Sequence, residues 1–348
     1  MRRQKCKHVY AVEFTIKRET TTTGDTVTTT ETKTVRVTYA QDWPSYNAAQ
    51  TNEKAYFQTL LRNLCAGISE PIQTKGRPRL SYADMVFSAA FKVYSTVSGR
   101  RFMIDLKEAH ANGHLTRLPH YNSVFNYLED AALTPILREL IVQSSLPMKA
   151  IETDFAVDSS GFSTCQFVRW FDAKYGKEVD VHDWIKVHLM CGVKTNVVTS
   201  IEVSGRHADD APYMSTLVET TAQRFTVNEV SAAYSTVDSH KAIAGVGATP
   251  YIAFKKSATG AVGGIFQKMF HLYCMNREEF LAHYHKRSNA ETTFSMIKAK
   301  FGGRIRSKSE TAQINEVLCK VLCHNICCVI QSMFEFRIDP AFTHAPLH

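Results

Sequence analysis

The sequence lacks any stretch of about 18 consecutive apolar residues, so we expect no transmembrane helix. The basic N-terminus is followed by no long apolar run and no small-residue cleavage site, which argues against a secretory signal. The nine cysteines are odd in number and irregularly spaced, which is typical of reduced thiols rather than of a disulfide framework. These absences predict a cytoplasmic protein that does not use a membrane.

The composition is that of a globular protein of 348 residues, with 44% hydrophobic and 21% charged residues. It argues against disorder, a collagen-like chain and a long coiled coil. Lysine and arginine number 41 against 33 aspartates and glutamates, which leaves a net charge of +8. An excess of this size favours polyanionic partners.

The first 148 residues read as two regions. Residues 1–43 contain a threonine-rich run that predicts two strands, with turn chemistry at Gly24 and Asp25. Residues 44–148 show helical spacing of apolar side chains, a candidate N-cap at Ser81 and glycine-bearing turns at Gly99 and Gly113. Short helices with tight turns predict a helix-turn-helix-like DNA-binding region.

Two features of this region are candidates for DNA contact. Arg77 and Arg79 flank a proline before the helices, where an extended arm would enter a minor groove, although a plain basic linker has the same composition. The helix HYNSVFNYLED offers His120, Asn122 and Asn126 to base edges, while its apolar side chains serve a core.

From residue 149 to 348 the pattern changes to successive short strands, then alternating helices and strands, then helices. This order predicts a mixed α/β core with helices on its faces. Asp158 closes an apolar strand, FAVDSSGF, where a carboxylate is well placed to hold a hard divalent cation, although turn aspartates are common.

A second acid lies on a predicted helix that covers REEFLAHYHKRSNAETTFSMIKAKFG. Tyr284, Arg287, Glu291 and Lys298 are three, four and seven residues apart, so all four project from one stripe of that helix. Such a stripe is either an ordinary solvated face or a surface on which cations contact phosphates and the carboxylate holds an ion.

In these segments the chain resembles the DDE transposases of bacterial insertion sequences. The resemblance rests on FAVDSSGF, DWIKVHLMCGVKTNVVT, GRHADDAPYMSTLVE, TPYIAFK and the Tyr-Arg-Glu-Lys spacing, all in order over roughly residues 75 to 335. It implies a ribonuclease-H-like fold, in which Asp158 and Glu291 are two of three acids that bind Mg²⁺ or Mn²⁺. It also implies that Tyr284, Arg287 and Lys298 contact the DNA backbone at the transposon end.

The second aspartate of the family's triad is missing from its expected place. Relatives read like Val-Ser-Ala-Asp-Lys-Ala-Tyr, whereas this chain reads Val-Ser-Ala-Ala-Tyr up to Tyr234. Asp238 is the candidate stand-in, as catalytic residue and metal ligand. Glu229, whose side chain is not expected to face the site, and Asp209 and Asp210, which lie in another segment, are less direct replacements.

Two functions follow from the resemblance. The first is a transposase that binds terminal inverted repeats of double-stranded DNA, cleaves phosphodiester bonds with two divalent ions and transfers the strand into target DNA as a homo-oligomer. The alternative is a catalytically impaired, transposase-derived DNA-binding protein. A ribonuclease-H-like nuclease without end preference is a third, less favoured reading.

Overall fold

The computed structural model describes residues 14–23, 26–35, 42–70, 79–164, 184–340 and 342. Near the N-terminus, strands β1 (Phe14–Thr23) and β2 (Thr26–Val35) pair antiparallel in a sheet of their own. The predicted turn residues Gly24 and Asp25 lie outside the described residues. The hairpin that they would close therefore stays a prediction.

Five helices follow, as the apolar spacing predicted. Asp42 caps the first of them, where its Oδ1 accepts a hydrogen bond from the Ser45 N–H at 3.3 Å. Ser81 caps the second by accepting from the Asp84 N–H at 3.1 Å, as expected from the sequence. The helices are α1 (Trp43–Cys65), α2 (Tyr82–Ser95), α3 (Gly99–Ala111), α4 (Tyr121–Leu128) and α5 (Leu133–Ser145).

The centre of the molecule is a mixed five-stranded sheet in the order β5-β4-β3-β6-β7. The first three strands along the chain form the predicted antiparallel meander, and the last two run parallel to β3. This order, with helices on both faces, is consistent with a ribonuclease-H-like fold. The strands are β3 (Asp154–Ser163), β4 (Trp184–Gly192), β5 (Val198–Gly205), β6 (Glu229–Ala232) and β7 (Thr249–Ile252).

Within the described residues, six further helices surround this sheet: α6 (Met214–Ala222), α7 (Val237–Gly245), α8 (Gly264–Met275), α9 (Arg277–Tyr284), α10 (Ser288–Phe301) and α11 (Glu310–Glu335). The single helix predicted from residue 277 to 302 is wrong in one respect. A tighter 3₁₀ turn, His285–Arg287, separates α9 from α10. Lys286 and Arg287 in that turn both reach β3, and these ion pairs override the simple helical period.

The long helix α11 lies at the centre of the largest apolar core. It is apolar and long enough to cross a membrane by length and composition, but 78% of its most apolar window is buried inside the protein. The core joins the N-terminal helices to one face of the sheet through buried side chains that include Leu61, Phe91, Val187 and Leu322. The division into regions 1–43, 44–148 and 149–348 remains a prediction, and the helical and sheet regions pack as one body.

A buried amide shows how tightly α11 is held. Asn325 is fully buried, and its Oδ1 accepts from the Val198 N–H at 2.8 Å. Its Nδ2 donates to the carbonyls of Val198 at 2.7 Å and Ile141 at 3.1 Å. One side chain thus satisfies backbone groups of both β5 and α5, which a buried polar side chain requires.

Candidate active site

Strand β3 presents different chemistry on its two faces, because successive side chains of a strand point to opposite sides. Phe155 and Val157 are buried on one face in an apolar cluster with α6 and α7. On the other face, Asp158 contacts the 3₁₀ turn and Ser160 contacts α10. The alternation therefore directs the polar residues of β3 toward the segment that carries the Tyr-Arg-Glu-Lys spacing.

A single guanidinium joins the two acids that the sequence singled out. Arg287 Nη1 lies 2.6 Å from Asp158 Oδ2, and Arg287 Nη2 lies 2.6 Å from Glu291 Oε1. The Asp158 side chain is 15% exposed and that of Glu291 is 56% exposed. Asp158 and Glu291 are thus neighbours in space, with one partly buried carboxylate and one open to solvent.

The pKa of Asp158 is raised above its ordinary value, chiefly because burial disfavours the charged carboxylate. The Ser159 N–H, which donates to Asp158 Oδ1 at 2.9 Å, and the Arg287 guanidinium oppose that rise in pKa. The negative charges of Glu291 and Asp210 add to it. Asp158 therefore lies close to two other acids, and its carboxylate forms an ion pair with Arg287.

Lys298 and Tyr284 extend this surface in opposite directions along the chain. Lys298 Nζ donates to Ser160 Oγ at 2.7 Å and lies 5.2 Å from the centre of the Phe162 ring. Burial lowers the pKa of Lys298. Tyr284 ends α9. Burial lowers the pKa of the Arg287 guanidinium, but Asp158, Tyr284 and Glu291 together raise it above its ordinary value.

A second cation bridge lies at the beginning of β3. Lys286 Nζ is 2.8 Å from Asp154 Oδ2 and 2.6 Å from Glu229 Oε1. His283 Nδ1 lies 2.5 Å from the other oxygen of Glu229, and its ring stacks on Tyr251 with centroids 4.3 Å apart. This cluster ties the 3₁₀ turn to β3 and β6, one residue before Arg287.

The register of the two parallel strands stops one residue short of Asp158. Asp154 is level with Glu229, and Val157 is level with Ala232, the last residue of β6. Ala233 follows directly and is exposed. The chain thus carries a methyl group at the first position after β6, where a register continued by one residue would bring a side chain to Asp158.

A comparison with known protein families matches residues 149–326 to the family described as Transposase DDE domain. The match covers more than half of the chain, including the whole sheet and most of α11. The chain belongs to this family. No curated protein and no solved structure matches it.

Membership implies a polynucleotidyl transferase family that acts on DNA in transposition and generally uses divalent metal ions. The donor atoms near Asp158 do not fit such a centre. Asp158 and Glu291 supply two carboxylates, Arg287 lies between them, and the neighbouring strand supplies Ala233. Among the described residues, no three acidic, histidine or cysteine side chains are close enough together to hold an ion.

The structure does not bring Asp238 to this pair of acids. Asp238 lies in the first turn of α7, where its side chain is 95% exposed, and its ion pair is with Lys241 at 3.9 Å. Its role as a stand-in stays a prediction. Glu229 lies at the start of β6, at the end away from Ala233, and is engaged by Lys286.

Sequence reasoning gave little weight to Asp210, which the fold brings close to the site. Its Oδ1 lies 2.6 Å from Lys186 Nζ and 3.4 Å from His188 Nδ1, both on β4, and its charge raises the pKa of Asp158. His188 is fully buried, and burial lowers its pKa to about 4. The only signal in the sequence was the acidic pair itself, because the pairing with β4 is a tertiary contact.

The predicted basic arm is partly described. Arg77 lies outside the described residues, whereas Arg79 lies just before α2 and lines a cleft against α4. His120, the first predicted base reader, instead caps α4, where its Nδ1 accepts from the Asn122 N–H at 3.3 Å. Asn126 lines the same cleft as Arg79.

Proposed function

We propose that this chain is an insertion-sequence transposase, of the Tyr-Arg-Glu-Lys type, that binds the terminal inverted repeats of its element but is strongly impaired in phosphodiester chemistry. The observation that carries the proposal is the register of β3 and β6, which ends at Val157 and Ala232 and is followed by Ala233 rather than by an acid. The tyrosine and the two cations that the resemblance assigns to DNA contact are present, while the acid expected before Tyr234 is not.

Binding of DNA is supported by the surface around the 3₁₀ turn. Arg287 and Lys298 lie side by side along β3, and Tyr284 precedes them at the end of α9. A guanidinium pairs with phosphate oxygens through two parallel hydrogen bonds, and an ammonium adds a compact positive charge. This arrangement, together with the net charge of +8, suits the backbone of double-stranded DNA.

The impairment follows from what the ions would need. Asp158 and Glu291 are the residues proposed to hold Mg²⁺ or Mn²⁺, which would supply Lewis-acid activation of an in-line displacement. Without a carboxylate at position 233, they lack the ligand that a neighbouring strand would add. Asp238 lies in the first turn of α7 and pairs with Lys241, and among the described residues no group of three such side chains could hold an ion.

The second candidate is the active transposase, which cleaves element ends and transfers the strand into target DNA. One observation favours it, namely that Asp158 and Glu291 meet at one guanidinium with Asp210 close enough to act on the same carboxyl. Both candidates are proposed to work in the cytoplasm, and joining two ends requires a homo-oligomer.

A paired binding and cleavage assay separates the candidates. The substrate is duplex DNA taken from the two ends of the element that encodes the chain, with shuffled duplex as the control. We expect preferential binding of end DNA and, with Mg²⁺ or Mn²⁺, no more cleavage than Asp158→Ala or Glu291→Ala shows. Cleavage that both substitutions abolish would instead establish the active enzyme, and equal binding to shuffled DNA would overturn recognition of the ends.

A further inference from the structure

A polar cleft lies in the N-terminal helical region, where Arg79 and helix α4 enclose a cavity of about 520 Å³. Two guanidinium groups line it, Arg79 from the segment before α2 and Arg117 from the turn between α3 and α4. The cavity thus joins two features that the sequence presented separately, the basic arm and the candidate recognition helix.

Helix α4 contributes one continuous stripe to this cleft. Ser123, Asn126, Tyr127 and Asp130 are three, four and seven residues apart, so they lie on the same side of the helix and its C-terminal turn. Ser123 and Asn126 carry hydroxyl and amide donors, which hydrogen-bond to phosphate oxygens in many DNA complexes.

Arg117 and Tyr127 line the cleft together. Burial raises the pKa of the Tyr127 hydroxyl, while a hydrogen bond with Ser123 and the positive charge of Arg117 oppose that rise. The Arg117 side chain is exposed, so a polymer approaching from solvent reaches it directly.

The one carboxylate in the cleft has a structural partner. Asp130 Oδ1 accepts from the Ala132 N–H at 2.9 Å, which fixes the chain as it enters α5. An asparagine at this position keeps the accepting oxygen and loses the negative charge. The cleft therefore contains two cations, neutral donors and one acid. A substitution can remove the charge of this acid and keep the hydrogen bond that it accepts.

We propose that this cleft binds the phosphodiester backbone of double-stranded DNA, with Arg79 and Arg117 each contacting a phosphate. The inference rests on the proposed function and deepens it, because it assigns a second contact with the DNA in addition to the surface of Arg287. Guanidinium pairs with phosphate through two hydrogen bonds, and two such groups line this one cleft.

The test is the DNA affinity of the full chain, measured by fluorescence anisotropy of labelled end duplex between about 50 and 200 mM salt. Arg117→Ala is expected to weaken binding about fivefold and to lower the salt slope by about one. Arg224→Ala is the matched control, because Arg224 follows α6 and pairs weakly with Glu139 at 3.9 Å. It should change neither quantity.

A second variant protects the test against simple unfolding. Asp130→Asn removes a negative charge from the cleft and should tighten binding two- to threefold, which damage to the fold would not do. Equal affinities of Arg117→Ala, Asp130→Asn and wild type would overturn the inference. The two proposals fail in different ways. If wild type binds end DNA and only Arg287→Ala weakens that binding, the cleft is overturned and the proposed function is kept. If wild type does not bind end DNA, both are overturned.

Discussion

Two positions on strand β3 carry the same arrangement with different results. At the start of the strand, Lys286 bridges Asp154 and Glu229, and in its middle Arg287 bridges Asp158 and Glu291. The cations are consecutive residues of one 3₁₀ turn. The two acids at the start come from neighbouring strands, whereas the acids in the middle come from a strand and a helix.

The difference lies in what stands on β6. At the start, Glu229 is level with Asp154 and is 10% exposed, so the cluster is closed and His283 completes it. In the middle of β3, Asp158 lies one residue past the last pair with β6, which joins Val157 and Ala232, and Glu291 is 56% exposed. The comparison teaches that the same cation bridge is closed where both strands carry an acid and open to solvent where one does not.

Breaking the closed bridge should have the largest effect on stability. Lys286→Met leaves Asp154 and Glu229 without their shared cation, and losing one partner of a largely buried ion pair costs about 3 kcal/mol. Urea unfolding at pH 7 measures the loss. Lys241→Met, which breaks the exposed pair with Asp238, is the control and should change the free energy of unfolding by less than about 0.5 kcal/mol. Similar losses in both variants would contradict the comparison.

The middle of β3 should also make the fold sensitive to acid through His188, which lies on β4 level with Ser159. Burial lowers the pKa of His188 most strongly, and the positive charge of Lys186 lowers it further. The negative charge of Asp210 opposes both effects, and the resulting pKa is about 4 against an ordinary 6.5. The folded state therefore disfavours the proton that the unfolded chain accepts. The stabilisation is complete above about pH 6.5 and is lost as the pH falls toward 4.

This loss should amount to about 2–3 kcal/mol for a shift of that size. Urea midpoints between pH 7 and 4 measure it, and His188→Gln should flatten the dependence. His110→Gln, in the exposed part of α3, is the control and should keep the wild-type slope. A wild-type slope in His188→Gln would show that other groups cause the acid sensitivity.

An acid directly after β6 should make the surroundings of Asp158 resemble the start of β3. Ala233→Asp adds a carboxylate one residue past the pair of Val157 and Ala232, and hard divalent cations prefer such oxygen ligands. We expect the Kd for Mn²⁺ to fall at least tenfold, which is about 1.4 kcal/mol, as measured by calorimetry. Ala233→Asn is the control, because its side chain has the same shape without the charge. Equal affinities of the two variants for Mn²⁺ would show that a carboxylate at position 233 does not bind the ion.

The smallest expected effect concerns the release of Arg287. Without divalent cations, Glu291→Gln removes one of the two acids that engage the guanidinium, which frees it for a phosphate. Affinity for end DNA should rise about threefold, or about 0.7 kcal/mol. Asp238→Asn is the control, because it removes an exposed negative charge away from the bridge. A comparable gain in DNA affinity in this variant would show that the loss of negative charge, and not the release of Arg287, causes the effect.

Much of the site was predictable because it depends on short-range pattern. Asp158 follows a run of apolar residues, although it lies inside β3 rather than closing it, and the spacing of Arg287, Glu291 and Lys298 places them along one side of a helical segment. The interruption at His285–Arg287 was not predictable, because the turn tightens only when Lys286 and Arg287 both meet β3. The effect of Asp210 on Asp158 was missed for the same reason, since its partners Lys186 and His188 lie on another strand.

By itself, the sequence determined the succession of strands and helices, the candidate acids Asp158 and Glu291, and the absence of an acid before Tyr234. Local periodicity and turn chemistry act between neighbours in the chain, so they can be recognised in the amino-acid sequence. Only the tertiary structure decided that Arg287 joins the two acids and that β6 ends level with Val157, one residue before Asp158. Those relations depend on strand register and on packing between segments far apart in the chain, where contact free energies rather than sequence spacing select the partners.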